Sequence, residues 1–363
     1  MKQSLRTTIR TIKADLLTPV LIFKRLSGKR KFLLESSTKY EDSGRYSFIG
    51  ANPRKTYTGV GQQLQDVLHK TNKSYTYEGP LMQSLKQVMP RISSYTDYPF
   101  IGGAVGYVSY DLENTEQPAQ PELQFHIYET LIIFDHIKDE LTIAHTNIDA
   151  EENAINIDQI IEALFTHQLE LVPTFEVQSQ AIDTVNLQPV VKRLNAQFKG
   201  DPFELYRKIR VQLPGAYLYY IEFDDQTLIG ASKENFVAVT NDEIKANSKQ
   251  FEYSETMKCA LQKVAANITG DAQLTAEMQP GNHSLDVLKA LLPPAPLHYA
   301  QKLPYKNGFG HVVGYIGFNG QIDFTLAENI VRIEGKTLSV TANEHFDKLQ
   351  QMIEQLVVPG GIV

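Results

Sequence analysis

Short runs of β-branched and aromatic residues, each closed by a turn signal, recur along most of this chain and leave little room for helices. Phe32–Leu34, Tyr46–Ile49, Ala104–Ser109, Ile127–Phe134 and Leu141–Ala144 read as strands in the first half, as does Val20–Phe23. Ala216–Phe223, Phe236–Val239, Val312–Phe318 and Thr337–Val340 read as strands in the second. Asp224-Asp225 and Asn319-Gly320 are hairpin-type turns, and Phe318 to Phe324 is the clearest hairpin signal. Three helices stand out. Ile157, Ile160, Ile161 and Leu164 follow helical spacing; Asp201-Pro202 opens a helix to Val211; Phe346, Leu349, Ile353 and Leu356 form a stripe behind Asn343 as a cap. Leu169 to Asn186 is polar and reads as a connection between halves. Val105-Gly106-Tyr107-Val108-Ser109-Tyr110 is echoed by Val313-Gly314-Tyr315-Ile316-Gly317-Phe318, which suggests two halves built on one plan. The fold class expected is α+β: large antiparallel sheets packed face to face, with helices outside.

Composition narrows the function. The chain has 363 residues, 42% hydrophobic and 21% charged, which suits a soluble protein of one large or two moderate domains. Its net charge is −7, and the cationic patch Lys24–Lys31 is short, so nucleic acid is not an expected partner. Cys259 is the only cysteine, which excludes an intrachain disulfide or a thiolate metal site and fits a reducing cytoplasm. No run approaches the ~20 apolar residues of a membrane span, and Met1–Lys13 lacks the apolar segment of a secretory signal.

One segment carries chemistry. Phe32-Leu33-Leu34 ends in Glu35 and Ser36, and Arg45 precedes a second aromatic strand. Glu35 could hold an ammonium, Arg45 a carboxylate and Ser36 either, which makes a clamp for a small zwitterion; a hairpin with a surface ion pair uses the same residues.

With further motifs, the chain resembles the large subunit, component I, of anthranilate synthase, among the chorismate-utilising enzymes. The first half contributes Thr18-Pro19-Val20, Leu33-Leu34-Glu35-Ser36, Arg45 to Gly50, Gly102 to Tyr107 with Tyr110-Asp111, and Phe134-Asp135-His136. The second contributes Asp201 to Tyr206, Leu228 to Glu234, Thr269-Gly270, Leu288 to Pro293 and Val313 to Gly320. The resemblance implies one shortened domain over 1–363. Residues 1–165 form a half with a tryptophan-site-like motif, and 187–363 form an incomplete chorismate-binding-like half. It also implies that Glu35, Ser36 and Arg45 belong to a tryptophan feedback site. The family's second piece, N-P-S-P-Y-M, is matched at Pro214 and Tyr217 only.

The family reaction turns chorismate and ammonia or glutamine into anthranilate and pyruvate, with Mg²⁺ and a glutamine amidotransferase partner. The substrate-facing motifs are mostly missing here. Lys245 to Lys249 stands for P-I-A-G-T-R, Lys263 for a histidine, Pro293 to Lys302 for P-A-G-T-x-S-G-A-P-K, Asn329 for the substrate arginine, and Thr341 to Glu344 for A-G-A-G. The long segment with L-G-R-N-D and a metal-binding glutamate is absent. No catalytic residue and no Mg²⁺ ligand is assigned. His298, Lys302, His311, Glu328 and Glu344 lie near the old positions and read better as surface or loop-filling side chains. The expectation is a cytoplasmic component I-like protein of tryptophan biosynthesis with impaired or lost catalysis; the alternative is a non-catalytic protein that binds tryptophan or a partner.

Overall fold

Strands that alternate inward and outward residues must cover both faces, and this chain does so with two sheets and two layers of helices. The computed structural model describes residues 6–36, 44–92, 96–109, 112, 121–148, 155–167, 175–178, 185–188, 191–213, 215–233, 235–247, 255–270, 273–292, 311–327, 329–342 and 346–356. The first half runs β1 (Arg6–Lys13), α1 (Pro19–Arg25), β2 (Phe32–Ser36), β3 (Tyr46–Gly50), β4 (Lys55–Val60), β5 (Gln63–Leu68) and β6 (Lys73–Glu78). It continues with α2 (Leu81–Val88), β7 (Gly103–Val108), β8 (Leu123–Tyr128), β9 (Thr130–Asp135), β10 (Glu140–Asn147) and α3 (Ile157–Thr166). After β11 (Phe175–Gln178) and β12 (Val185–Gln188), the second half opens with β13 (Val191–Gly200), α4 (Pro202–Gln212), β14 (Tyr217–Glu222) and β15 (Thr227–Ser232). Then come β16 (Asn235–Thr240), β17 (Glu243–Asn247), α5 (Glu255–Gln262), β18 (Ala265–Thr269), β19 (Gln273–Met278) and α6 (Ser284–Leu291). The chain closes with β20 (Val312–Gly317), β21 (Ile322–Leu326), β22 (Asn329–Glu334), β23 (Thr337–Ala342) and α7 (Phe346–Leu356).

A 12-stranded sheet has the order β1-β10-β9-β3-β2-β14-β15-β22-β23-β13-β11, with β12 also on β13; an 11-stranded sheet runs β18-β19-β17-β16-β21-β20-β7-β8-β4-β5-β6. Neighbours are antiparallel throughout. Outward from the β2–β14 junction, the first sheet reads β3, β9, β10, β1 on one side and β15, β22, β23, β13 on the other. Outward from β7–β20, the second reads β8, β4, β5, β6 and β21, β16, β17, β19. Ten strands of each half thus correspond about an internal two-fold, with β11, β12 and β18 left over among the described residues, which is the plan that the echoed hexapeptides suggest. Those hexapeptides overlap β7 at Val105–Val108 and β20 at Val313–Gly317, and Gly106 sits opposite Gly314 where the two strands pair.

Alternation places the layers. In β2, Phe32 enters the core shared by the two sheets and Leu33 the core under α1, α3, α4 and α7; Tyr219 and Tyr220 divide in the same way. α2, α5 and α6 pack their apolar residues into the first core. The expected α+β architecture of face-to-face antiparallel sheets with outer helices is therefore what the chain forms.

Two sequence readings are corrected. Val20–Phe23 is not a strand but the body of α1. Thr18 caps it, accepting from the Leu21 N–H at 3.2 Å, and Pro19 stands in its first turn, so the helix-start signal overrides the β-branched run. Ile127–Phe134 is not one strand but parts of two, β8 in one sheet and β9 in the other, with Glu129 as the corner. Within the stretch read as a connection, β11 lies wholly and β12 begins, both pairing with β13. The predicted caps and turns hold elsewhere: Asp201 accepts from the Phe203 N–H at 2.8 Å, and Phe223 N–H closes the Asp224-Asp225 turn on Gln226 O at 2.7 Å. Asn343 lies outside the described residues.

A Cβ added to Gly106 would stand 1.9 Å from the Gln124 carbonyl oxygen, and one on Gly314 would stand 2.0 Å from that of Asp323. Both obstacles are backbone. Gly106→Ala is expected to lower stability by ~1–3 kcal/mol, read from urea denaturation; a midpoint equal to the parent's would show that the strands have slack.

Candidate functional site

The β2–β14 junction brings the two halves of the expected site together. Glu35 lies opposite Leu218 on one side and Ser47 on the other, and Ser36 lies opposite Tyr217. The residues nevertheless divide between the two faces of the sheet.

On the helix face, Glu35 is engaged by α4. Tyr206 and Arg210 are four residues apart, on one face of that helix. The Tyr206 hydroxyl donates to Glu35 Oε2, and Arg210 Nη2 donates to Glu35 Oε1 at 2.8 Å. The Glu35 side chain is 3% exposed and the Arg210 side chain 34%. Burial first, and the Glu35 charge second, hold the Tyr206 phenol well above its usual range, so it stays a donor. His136, held down by burial, shares a 2.8 Å hydrogen bond with the Ser47 hydroxyl. Arg45 does not join this group. Its guanidinium, 44% exposed, binds Asp135 Oδ2 from Nε at 3.2 Å and Nη2 at 3.0 Å, and lies 4.8 Å from the Tyr46 ring centroid. Burial would raise the Asp135 carboxyl, but Arg45 and the N–H groups of Ile137 and Lys138 outweigh it and hold it below its usual value. Pro214 lies outside the described residues.

On the inter-sheet face a cavity of about 40 Å³ opens between β2, β3, β14, β20 and β21. Its lining includes Leu34, Phe48, Tyr217, Tyr219, Tyr315, Asp323 and Thr325, and Glu35 borders it. That volume has room for about three waters at roughly 10–15 Å³ each. Tyr217 is hydrogen-bonded to Asp323, which burial pushes up to about 7 against that bond. Tyr315, raised by burial and then by the Asp323 charge, stacks on Phe100 at 4.2 Å. Of the expected residues, Glu35 and Tyr217 therefore meet the cavity's edge, with their functional groups on opposite faces. Sequence reading missed Tyr206, Arg210, Tyr315 and Asp323. The i, i+4 pair on α4 and an acid at an inward position of the Phe318–Phe324 hairpin were the available signals.

The positions matching the family's reaction centre are plain. Asn329 is buried and donates from Nδ2 to Ala231 O at 3.4 Å, so a neutral amide fills that place. Lys263 is exposed beyond α5. His311 is buried, stacked 4.8 Å from Tyr107, and pushed down to about 3 by burial and then by Arg332, so it is neutral. Only residues 248–254 connect β17 to α5, too few for a long helical segment. Among the described residues no three His, Cys, Asp or Glu side chains gather to hold a metal ion. Glu234, His298, Lys302, Glu328 and Glu344 lie outside the described residues.

Two outcomes follow from this geometry. Tyr206→Phe leaves a buried Glu35 oxygen short of a donor, so unfolding in urea should become easier by ~1–3 kcal/mol. Asp323 keeps its proton in the folded state between the usual 3.8 and about 7, where the unfolded chain has lost it. Stability should then fall as pH rises through that window, and Asp323→Asn should flatten this part of the melting-temperature profile; an unchanged slope would contradict the buried, protonated acid.

Comparison with known proteins gives a consistent result. The family profile described as chorismate binding enzyme matches residues 179–248. The anthranilate synthase component 1 of Lactococcus lactis subsp. lactis (strain IL1403) is 26% identical, over 92% of this chain and 93% of that protein. The crystal structure of anthranilate synthase component I from Streptococcus pneumoniae TIGR4 superposes with a TM-score of 0.58 and 22% identity, over 95% of this chain and 98% of that one. The menaquinone-specific isochorismate synthase MenF from Escherichia coli gives 0.58 at 10% identity, over 97% and 93%. The resemblance to anthranilate synthase component I thus extends along nearly the whole chain. The alignment with the Lactococcus protein spans 432 positions but only 92% of the 363 residues of this chain, about 334, so about 98 positions (432 less 334) are gaps here.

Proposed function

We propose that this anthranilate synthase component I-like chain serves tryptophan biosynthesis, with its chorismate chemistry impaired or lost and an effector pocket for tryptophan kept between the sheets. The gapped alignment carries this reading. About 98 aligned positions have no counterpart in this chain, and only the 248–254 connection stands where the resemblance expects the family's long catalytic segment.

The energetics are severe. Removing a charge-assisted contact to a substrate carboxylate costs roughly 2–5 kcal/mol, about 30- to several-thousand-fold in rate. Asn329 presents a neutral amide in place of the arginine, and Lys245, Ala246 and Asn247 of β17 supply neither a glycine donor loop nor a carboxylate. The described residues therefore do not fit a Mg²⁺ cage. Chorismate is the ligand that the description of the matching family brings to this reading, and a glutamine amidotransferase subunit is the partner that the resemblance implies, in a cytoplasmic setting. Among the described residues no helix is long and apolar enough to cross a membrane.

The cavity favours the second reading, a non-catalytic protein that acts by binding tryptophan or a partner. Its aromatic walls suit an aromatic ligand once a few side chains turn aside. Purified protein with chorismate, Mg²⁺ and ammonium is expected to give no anthranilate fluorescence above a protein-free blank; a clear signal would restore the enzyme reading. Titration calorimetry with tryptophan is expected to show binding.

A further inference from the structure

The internal two-fold supplies a control for one residue. Tyr107 pairs with Gln124 in the first half as Tyr315 pairs with Asp323 in the second. Both Gln124 and Asp323 press their carbonyl oxygens onto the equivalent glycines, Gly106 and Gly314. The fold therefore asks the same of both positions, and a neutral amide satisfies it at one. Gln124 is also satisfied as a side chain: Gln226 Nε2 donates to its Oε1 at 3.2 Å, and the Tyr107 hydroxyl at 3.5 Å. Asp323 is not. Tyr217 donates to it, but among the described residues Oδ1 is buried with no hydrogen-bond partner, and Asp323 lines the cavity.

An orphaned buried carboxylate oxygen is costly unless a donor arrives. The walls select the donor. Phe48, Tyr217 and Tyr315 present rings, which suit a compact organic cation and leave a divalent metal far short of its six or more oxygens. A guanidinium is planar and broad, whereas the room for about three waters fits an ammonium head on a short stem. Glu35 is unavailable for this role, since both its oxygens are taken from the α4 side.

We propose that Asp323 is the counter-charge for a primary ammonium group bound in the inter-sheet cavity, with Tyr217 holding the carboxylate in place. This rests on reading the cavity as an effector pocket, and it moves the ammonium contact from Glu35 to Asp323. Binding would strip the proton that Asp323 keeps to about pH 7, so affinity should rise as pH rises through that value.

The test is calorimetry at about pH 8, above that titration, on the whole chain and on Asp323→Asn and Glu35→Gln. Melting curves of each variant establish that it is folded. Tryptophan and tryptamine should bind, and indole-3-propionate, which lacks the amine, should bind about tenfold more weakly or not at all. Asp323→Asn should weaken tryptophan by about tenfold or more, and Glu35→Gln by less than about threefold. Parent-like binding by folded Asp323→Asn, or indole-3-propionate binding as tightly as tryptophan, would overturn the assignment. Should no indole compound bind, methylammonium chloride is the deciding probe. A melting temperature raised above that in equal sodium chloride, in the parent and not in Asp323→Asn, keeps the ammonium site and removes tryptophan as its ligand. No rise removes both.

Discussion

Where β7 meets β20, two bare glycine Cα atoms let four strands close on one another at near-contact distance. Gly106 receives the carbonyl of Gln124 and Gly314 that of Asp323, each closer than any Cβ would allow. Each of these approaches lies within one half; the halves join into one continuous sheet where β7 pairs with β20, Gly106 opposite Gly314, and the first sheet repeats the union at β2–β14. The helices follow the same plan. α1 and α4 both start with a side-chain cap followed by proline, and Phe23 of one stacks on Phe203 of the other at 3.9 Å. A two-fold arrangement of this kind places the least repeated surroundings at the axis itself, where the cavity and the Glu35 cluster lie.

The two buried acids beside that axis show two solutions to one electrostatic problem. Glu35 faces the helices and is neutralised by a cation and a phenol on one helical turn, so its charge is a structural fixture. Asp323 faces the other sheet and among the described residues has a phenol alone, so burial shifts its proton equilibrium instead. Strand alternation decides which acid meets which layer, because β2 and β21 present them to opposite sides.

Much of the sheet pattern was legible because hairpins are local. Asn319-Gly320 and Asp224-Asp225 specify their turns within a few residues, and α4 announces itself with Asp201-Pro202. Failures came where tertiary context decides. A β-branched run became α1 because Thr18 and Pro19 start a helix, and Ile127–Phe134 hid a corner because Glu129 has no turn signature. The site was half legible for the same reason. Glu35 and Tyr217 carry sequence motifs, but the side chains that complete each of them, Tyr206, Arg210 and Asp323, come from segments more than a hundred residues away from the motif residue. No local pattern could join them.

The corner at Glu129 also bears on how the molecule can move. A single residue carries the chain from β8 in one sheet to β9 in the other; its carbonyl accepts from Thr146 N–H at 2.8 Å, and its carboxylate accepts from Ile148 N–H at 3.0 Å. The equivalent passage from β21 to β22 is two residues long. Two such pins, one on each side of the axis, forbid the sheets from sliding over one another. Breathing of the space between them is confined to small rotations about the pins and to turning of side chains, which makes the chamber a stiff-walled vessel rather than a hinged jaw.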